Sequence, residues 1–185
     1  MKVTIFNGSP RKNGNTAAMT SSLADKLKAK GAEVSEHFLY HMDIKGCMNC
    51  GVCRSGDELK ECAIKDDGIR MVKEFVSSDI VIFATPIYMW HLTASMNAFI
   101  ERLHSVCVHE GYVNRPEGKR IAIAMTMGDD EYVAADAVNS LLFFCEYFKL
   151  RYSGAYAVPF ADKEQIMRPP NQERMQDFVN KIMEG

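Results

Sequence analysis

The sequence has no apolar run approaching the roughly 18 residues that a membrane-spanning helix needs, so no segment is expected to cross a bilayer. It has no excess of either charge: 22 Lys and Arg stand against 24 Asp and Glu, a net charge of -2. That balance removes the basic surface expected of a nucleic-acid or anionic-membrane binder. Two nucleotide signatures are missing as well. There is no GxGxxG fingerprint for a dinucleotide and no GxxxxGK[ST] loop for a nucleoside triphosphate. The apolar part of MKVTIFNGS is too short for a secretory signal and reads as a first strand. No repeat, low-complexity tract or long linker interrupts the chain. The expectation is one cytoplasmic domain, 1–185, with no nucleic-acid or membrane partner.

What is present fits that expectation. A chain of 185 residues that is 47% hydrophobic can bury a sizeable core in one domain. Short apolar runs alternate with helical patterns. Residues 3–6, 33–39, 80–84, 121–125 and 151–158 read as strands, with Thr85-Pro86 ending the third. Helices are expected over 16–29, from a cap at Asp66 or Asp67 to about 76, over 93–106, over 131–147, and over 171–183 after Pro169-Pro170. Strands that alternate with helices predict an α/β fold with three layers, a parallel sheet covered on both faces. Five strands with a binding loop after the first suggest the order 2-1-3-4-5.

That loop, GSPRKNGNT over residues 8–16, joins strand to helix. A helix N-terminus offers unpaired N–H groups and a partial positive charge to a phosphate. Ser9, Asn15 and Thr16 add short donors, Gly14 permits close approach, and Arg11 and Lys12 can add charge at the rim. Five residues separate Gly8 from Gly14, and Asn15 stands where the lysine of a triphosphate loop belongs. The pattern suits a terminal monophosphate such as that of FMN; the alternative is an ordinary polar turn with an N-cap.

GSPRKNGNT together with TPIYMWHLTASMNAFIERL resembles the NADPH-dependent FMN reductase family, a flavodoxin-like group, over most of the chain. The resemblance implies that Ser9, Arg11, Asn13, Asn15 and Thr16 bind the FMN phosphate. It implies that Pro86, Ile87, Tyr88, Met89 and Trp90 meet the isoalloxazine ring, and that Thr126, Met127 and Gly128 contact its other end. Core or subunit packing is the competing role for Tyr88 and Trp90, and a second subunit often completes such a pocket, so a homodimer or homotetramer is expected. Family members often carry lysine and aspartate where this chain has Asn97 and Glu101. Both positions read as helix surface without effect on the chemistry. His91 reads as a solvent-facing residue near a helix start, and His37, His41, His104 and His109 as surface residues.

Four of the six cysteines crowd into one stretch, at about 45–65. Cys47, Cys50, Cys53 and Cys62 form CxxCxxC and then a fourth cysteine. Thiolates so spaced can converge on tetrahedral zinc or an iron–sulfur cluster, and the compact run is more typical of clusters. Free thiols and a redox disulfide are the other readings. The stretch resembles the cysteine motif of iron–sulfur flavoproteins, which implies a [4Fe–4S] cluster beside the flavin. Its last gap is long for that motif and holds Asp57, Glu58, Lys60 and Glu61. Cys107 and Cys145 read as buried small hydrophobes.

The resulting function is an FMN-dependent oxidoreductase. NAD(P)H gives hydride to flavin N5, and electrons pass to a quinone, flavin or iron–sulfur acceptor. The flavin carries that chemistry, so no catalytic side chain is expected. The alternatives are an electron carrier served by a ferredoxin-type donor, and a zinc-stabilised non-redox module.

Overall fold

The computed structural model describes residues 1–54, 61–107, 116 and 118–184. Its centre is a parallel sheet of β1 (Lys2–Asn7), β2 (Glu33–Phe38), β3 (Ile80–Pro86), β4 (Arg120–Thr126) and β5 (Arg151–Val158). The strand order is β2-β1-β3-β4-β5, as expected. β3 lies in the middle, and all seven of its residues are buried. Burial on both faces is why it reads as a continuous apolar run rather than an alternating one.

Around the sheet lie α1 (Asn15–Ala29), α2 (Asp67–Ser77), α3 (Ala94–Arg102), α4 (His104–Cys107), α5 (Ala135–Tyr147), α6 (Lys163–Met167) and α7 (Pro169–Glu184). Alternate residues of each strand serve opposite faces. Phe6, Phe83 and Ile123 join a core with Phe75 of α2, Phe99 of α3 and Leu141 of α5. Ile5, Ile82 and Ala124 join a second core with Leu23 of α1 and Phe178 and Ile182 of α7.

The differences from expectation sit at element ends. β3 runs on through Thr85 and Pro86, because a final strand position can forgo the proline N–H while Pro86 still pairs in register with Thr126. The helix expected over 93–106 is two helices, broken at Leu103. The stretch over 131–147 opens with a tight turn, Glu131–Ala134, before becoming α5. α7 includes Pro169 and Pro170, whose missing N–H groups would have had no helical acceptor there. The short α6 was not expected. Its signal is present, because Asp162 accepts the Gln165 N–H at 2.7 Å as an N-cap.

Candidate functional site

In a parallel sheet every strand delivers its following loop to the carboxyl edge. The loop after β1 is held there by buried hydrogen bonds. Asn7 Oδ1 accepts the Ser9 N–H at 2.8 Å, while Asn7 Nδ2 donates to Glu36 Oε1 at 2.9 Å. The Gly8 N–H donates to the Ala84 carbonyl at 2.8 Å. The Gly8 carbonyl accepts from Thr93 Oγ1 at 3.0 Å and Ser95 Oγ at 3.2 Å. A Cβ on residue 8 would stand 2.4 Å from Thr93 Oγ1, so only glycine permits this approach.

α1 starts without a side-chain cap. Its N-cap is Gly14 and its first turn has no acidic residue. α2, α3 and α6 differ: Asp66, Thr93 and Asp162 each accept a backbone N–H. The N–H groups of Asn15, Thr16 and Ala17 meet no acceptor among the described residues. Such an end is suited to an anion. Arg11, Lys12 and Asn13 are exposed beside it. The short side chains singled out in the sequence are engaged within the protein. The Ser9 hydroxyl accepts the Arg11 N–H at 3.2 Å. Asn15 Nδ2 donates to the Ala161 carbonyl. The Thr16 and Thr126 hydroxyls pair at 2.7 Å. Backbone, more than side chain, is therefore what the loop presents.

The loop after β3 turns on Met89 and Trp90, with φ of 49° and 67°. Tyr88 and His91 exchange backbone hydrogen bonds across them, at 3.2 and 3.0 Å. Two successive residues in the left-handed region normally call for Asn-Gly, so Met-Trp here is strained. Tyr88, Met89 and Trp90 are 45%, 74% and 54% exposed. Pro86 is buried and Ile87 half-buried. After β4, Thr126 and Met127 are buried and Gly128 is exposed. The Met127 N–H is spent on the Val158 carbonyl, while the Gly128 N–H meets no acceptor among the described residues.

Reading the sequence missed the loop after β5. The Ala161 N–H donates to the Met127 carbonyl at 2.8 Å, and its carbonyl receives Asn15. Phe160, exposed with φ of 46°, sits beside it. The carboxyl-edge rule that singled out the other loops applies equally to this one.

The loop after β2 leads to the cysteines. Cys47, Cys50, Cys53 and Cys62 line one pocket together with Arg102 and Ser105. Cys47 and Cys50 are exposed, Cys53 and Cys62 half-buried. Glu101 is exposed on its helix, as expected of the sequence, and it also contacts the cysteine segment. Its Oε2 accepts the Cys47 N–H at 3.0 Å, and a Cβ on residue 46 would meet the same oxygen at 2.5 Å. Asn97 is engaged too, donating to the Leu92 carbonyl at 3.2 Å. Arg102 was not singled out in the sequence at all. It is 1% exposed and pairs with a fully buried Asp66 carboxylate at 2.7 Å. Its Nη1 also reaches the Lys45 carbonyl and its Nη2 the Ile64 carbonyl.

Burial opposes the charge on Asp66, but the Arg102 hydrogen bonds, the Lys45 N–H and the guanidinium charge outweigh it and hold the carboxyl below its usual range. Burial likewise opposes the charge on Arg102, but hydrogen bonds to Asp66 and Cys62 and the charges on both outweigh it and raise its pKa. Among the described residues the buried Arg102 Nε meets no acceptor. Asp57, Glu58 and Lys60 lie outside the described residues. Glu61 bridges Lys65 and Lys73, which pull its carboxyl down to about 2.

Two implied groups can be tested against these residues. The uncapped α1 end and the loops around it fit a monophosphate carrying a planar apolar ring. The cysteine pocket brings four sulfur donors to one lining. Among the described residues, however, no three ligating side chains are gathered as a metal ion would hold them.

The remaining candidates separate by burial. Cys145 is buried, which pushes its thiol up to about 12 and makes it inert. The Cys107 side chain and His109 lie outside the described residues. His91 and His41 are exposed. His37 is half-buried rather than fully on the surface: it stacks on Phe6 with centroids 5.9 Å apart, and burial lowers its pKa. His104 lines the cysteine pocket. No helix among the described residues is long and apolar enough to cross a membrane.

Comparison with known proteins gives the family and the fold. A family model described as NADPH-dependent FMN reductase matches residues 1–165. The chain is 32% identical over 134 residues to an iron-sulfur flavoprotein of Archaeoglobus fulgidus, covering 72% of this chain and 59% of that protein. It thus spans less than two-thirds of the length of this relative. Among solved structures it is similar to an NAD(P)H:quinone oxidoreductase from Methanothermobacter marburgensis, with TM-score 0.77, 14% identity, and coverage of 100% of this chain and 98% of that one. It is also similar to a Streptococcus pneumoniae flavodoxin, with TM-score 0.64, 17% identity, and coverage of 100% and 99%. At such identity the structures speak to the fold alone, which is flavodoxin-like.

Proposed function

This chain belongs to the NADPH-dependent FMN reductase family, and on that premise we propose that residues 1–185 act as one FMN-binding domain of a cytoplasmic NAD(P)H-dependent oxidoreductase. The observation that carries the reading is the uncapped α1 end, where three backbone N–H groups meet no acceptor among the described residues, at the same sheet edge as a strained aromatic hairpin. The N–H groups of Asn15, Thr16 and Ala17 hold the phosphate. Ser9 shapes the turn, and Arg11 and Asn13 close its rim. Pro86, Ile87, Tyr88, Met89 and Trp90 form the ring's apolar wall, which also shields the reacting face from water. The Gly128 N–H, next to Thr126 and Met127, stabilises negative charge at the other end of the ring. Bound FMN supplies the two-electron chemistry, between NAD(P)H as donor and a quinone, flavin or iron–sulfur acceptor. The exposed hairpin is one wall of a site that a second subunit completes, in a homodimer or homotetramer.

The test is anaerobic purification followed by flavin analysis and addition of NADH or NADPH. Bound FMN that bleaches with a reduced nicotinamide supports the enzyme. A colourless protein that takes up no added FMN overturns it.

A second reading is favoured by the cysteine pocket. Cys47, Cys50, Cys53 and Cys62 hold a [4Fe–4S] cluster, and the protein carries electrons from a ferredoxin-type donor. This reading requires the thiols to draw closer together than they stand here. Flavin reduced by ferredoxin but not by NAD(P)H supports the carrier. Iron and sulfide at about four each per chain support the cluster, whereas zinc in their place supports a structural site.

A further inference from the structure

α5 is apolar on both of its sides. Its inner stripe, Ala137, Leu141 and Cys145, joins the core. A surface helix normally presents polar residues on the opposite side. Here that side carries Phe143 and Tyr147, 71% and 74% exposed, with Leu142 at its edge and Tyr132, 69% exposed, just before the helix. The two halves of this outer face differ. The C-terminal half carries the bulky Leu142, Phe143 and Tyr147, whereas the N-terminal half offers Ala135, Asp136, Asn139 and Ser140, all exposed. Beside that small half lies a cleft of about 260 Å³ lined by Ala134, Ala135, Val138 and Ala155. Glu131 and Arg174 also line it, but they pair with each other at 2.6 Å, which leaves the alanines to an apolar guest.

Charge divides the same way. Asp129, Asp130 and Asp136 are exposed at the N-terminal end of this face, and Lys149 and Arg151 are exposed past its C-terminal end. The face is therefore complementary to itself when turned end for end, in size and in sign. Its area is also of the right order. Three aromatic rings about seven-tenths exposed present roughly 400 Å² of apolar surface. That is about half of the ~800 Å² that each partner buries in a stable interface. Leu142, the cleft and the charged ends extend it.

We propose that a second copy of this chain docks on this face, α5 against α5 and antiparallel, about a two-fold axis beside Asn139 and Ser140. In a two-fold contact residue i meets j and j meets i, so one patch must complement itself. Antiparallel packing lays the bulky half of each helix on the small half of the other. Phe143 enters the partner subunit's cleft, Tyr147 meets the partner's Tyr132, and Lys149 meets the partner's Asp130. The buried aromatic rings supply most of the affinity, and the charged ends fix the direction of the pairing. The contact uses none of residues 86–90 and does not rest on the flavin reading.

The experiment is sedimentation equilibrium of the full chain at low salt, over a range of protein concentrations, with circular dichroism to confirm that each variant is folded. Wild type should be dimeric or larger. Phe143→Glu should raise the dissociation constant of the contact about thirtyfold or more, the effect of losing a central aromatic anchor. Lys149→Glu should raise it about tenfold, by setting like charges against each other across the axis. The double change Lys149→Glu, Asp130→Lys should return it to within a few-fold of wild type, because the swapped signs meet again in the antiparallel pair. Wild type that is monomeric at every concentration overturns the proposal and leaves the face to a protein of another kind. An assembly unmoved by Phe143→Glu overturns it as well, since its contact then lies on another face. A charge swap that restores nothing overturns the antiparallel pairing. Flavin content is read separately, so absence of FMN counts against the flavin reading and not against this contact.

Discussion

The phosphate loop and the cysteine pocket lie at the same sheet edge but are built differently. The loop is fixed from within. Asn7, Ala84, Thr93 and Ser95 hold Gly8 and Ser9 through hydrogen bonds of 2.8 to 3.2 Å, and the groups it offers are backbone N–H. The cysteine segment is fixed from its flanks, by Glu101 at one end and by Arg102 with Asp66 at the other. Of its cysteines, Cys47 and Cys50 are exposed and Cys53 and Cys62 half-buried. The difference teaches where binding energy goes. A preorganised loop spends little of it on ordering, whereas a flank-held segment must gather its ligands when the occupant arrives.

The sharpest way to break the comparison is at Gly8. Valine there would force Thr93 Oγ1 off the Gly8 carbonyl. We expect FMN affinity to fall by about a hundredfold or more, equivalent to roughly 2.7 kcal/mol. Fluorescence titration of apoprotein with FMN measures it. An affinity within a few-fold of wild type would show that the loop is not fixed from within.

The cysteine flank responds through stability instead. Arg102→Met leaves the fully buried Asp66 carboxylate without its partner. The expected loss is about 3–5 kcal/mol, read by urea unfolding. The pH dependence has a definite sign. The folded-state pKa of Asp66 lies below its unfolded value. Its contribution is therefore fully present above the unfolded pKa and is lost as pH falls through the folded one. The variant should lose this acid-side slope, and an unchanged slope would remove Asp66 as its source. Thr93→Ala touches both regions, since Thr93 caps α3 and holds Gly8. A cost of about 1–2 kcal/mol is expected, with weaker FMN binding but unchanged iron content.

The strand, turn and helix that carry the candidate phosphate loop were legible in sequence, because their signals are local. Strand, Gly-rich turn and helix lie within residues 3–29, and the buried strand 80–84 stands out by composition. The cysteine side was legible only as a motif. Cys47 and its anchor Glu101 lie 54 residues apart, and no periodicity links them. Arg102 reads as a surface cation on a helix, because a buried arginine has the same letter as an exposed one. Its burial follows from Asp66, 36 residues earlier, which reads as an ordinary cap. Ala161 escaped for a related reason, since it acts through backbone atoms that any residue supplies.

The smallest effect distinguishes a strained turn kept for binding from one that is merely tolerated. Met89 and Trp90 occupy left-handed conformations that Asn-Gly adopts without strain. The double change Met89→Asn, Trp90→Gly should therefore stabilise the apoprotein, by about 1 kcal/mol, since each L side chain in that region carries a cost of roughly 1–2 kcal/mol and some exposed apolar contact is lost with it. The same change removes two of the hairpin's exposed apolar side chains, so FMN or the second subunit should bind less well. Thermal unfolding of apoprotein, beside flavin titration and light scattering for mass, reads both effects. Gain of stability with loss of flavin or subunit affinity identifies the hairpin as strain retained for function. Gain of stability with both affinities intact would leave Tyr88 as the hairpin's contact and remove Met89 and Trp90 from the ring site.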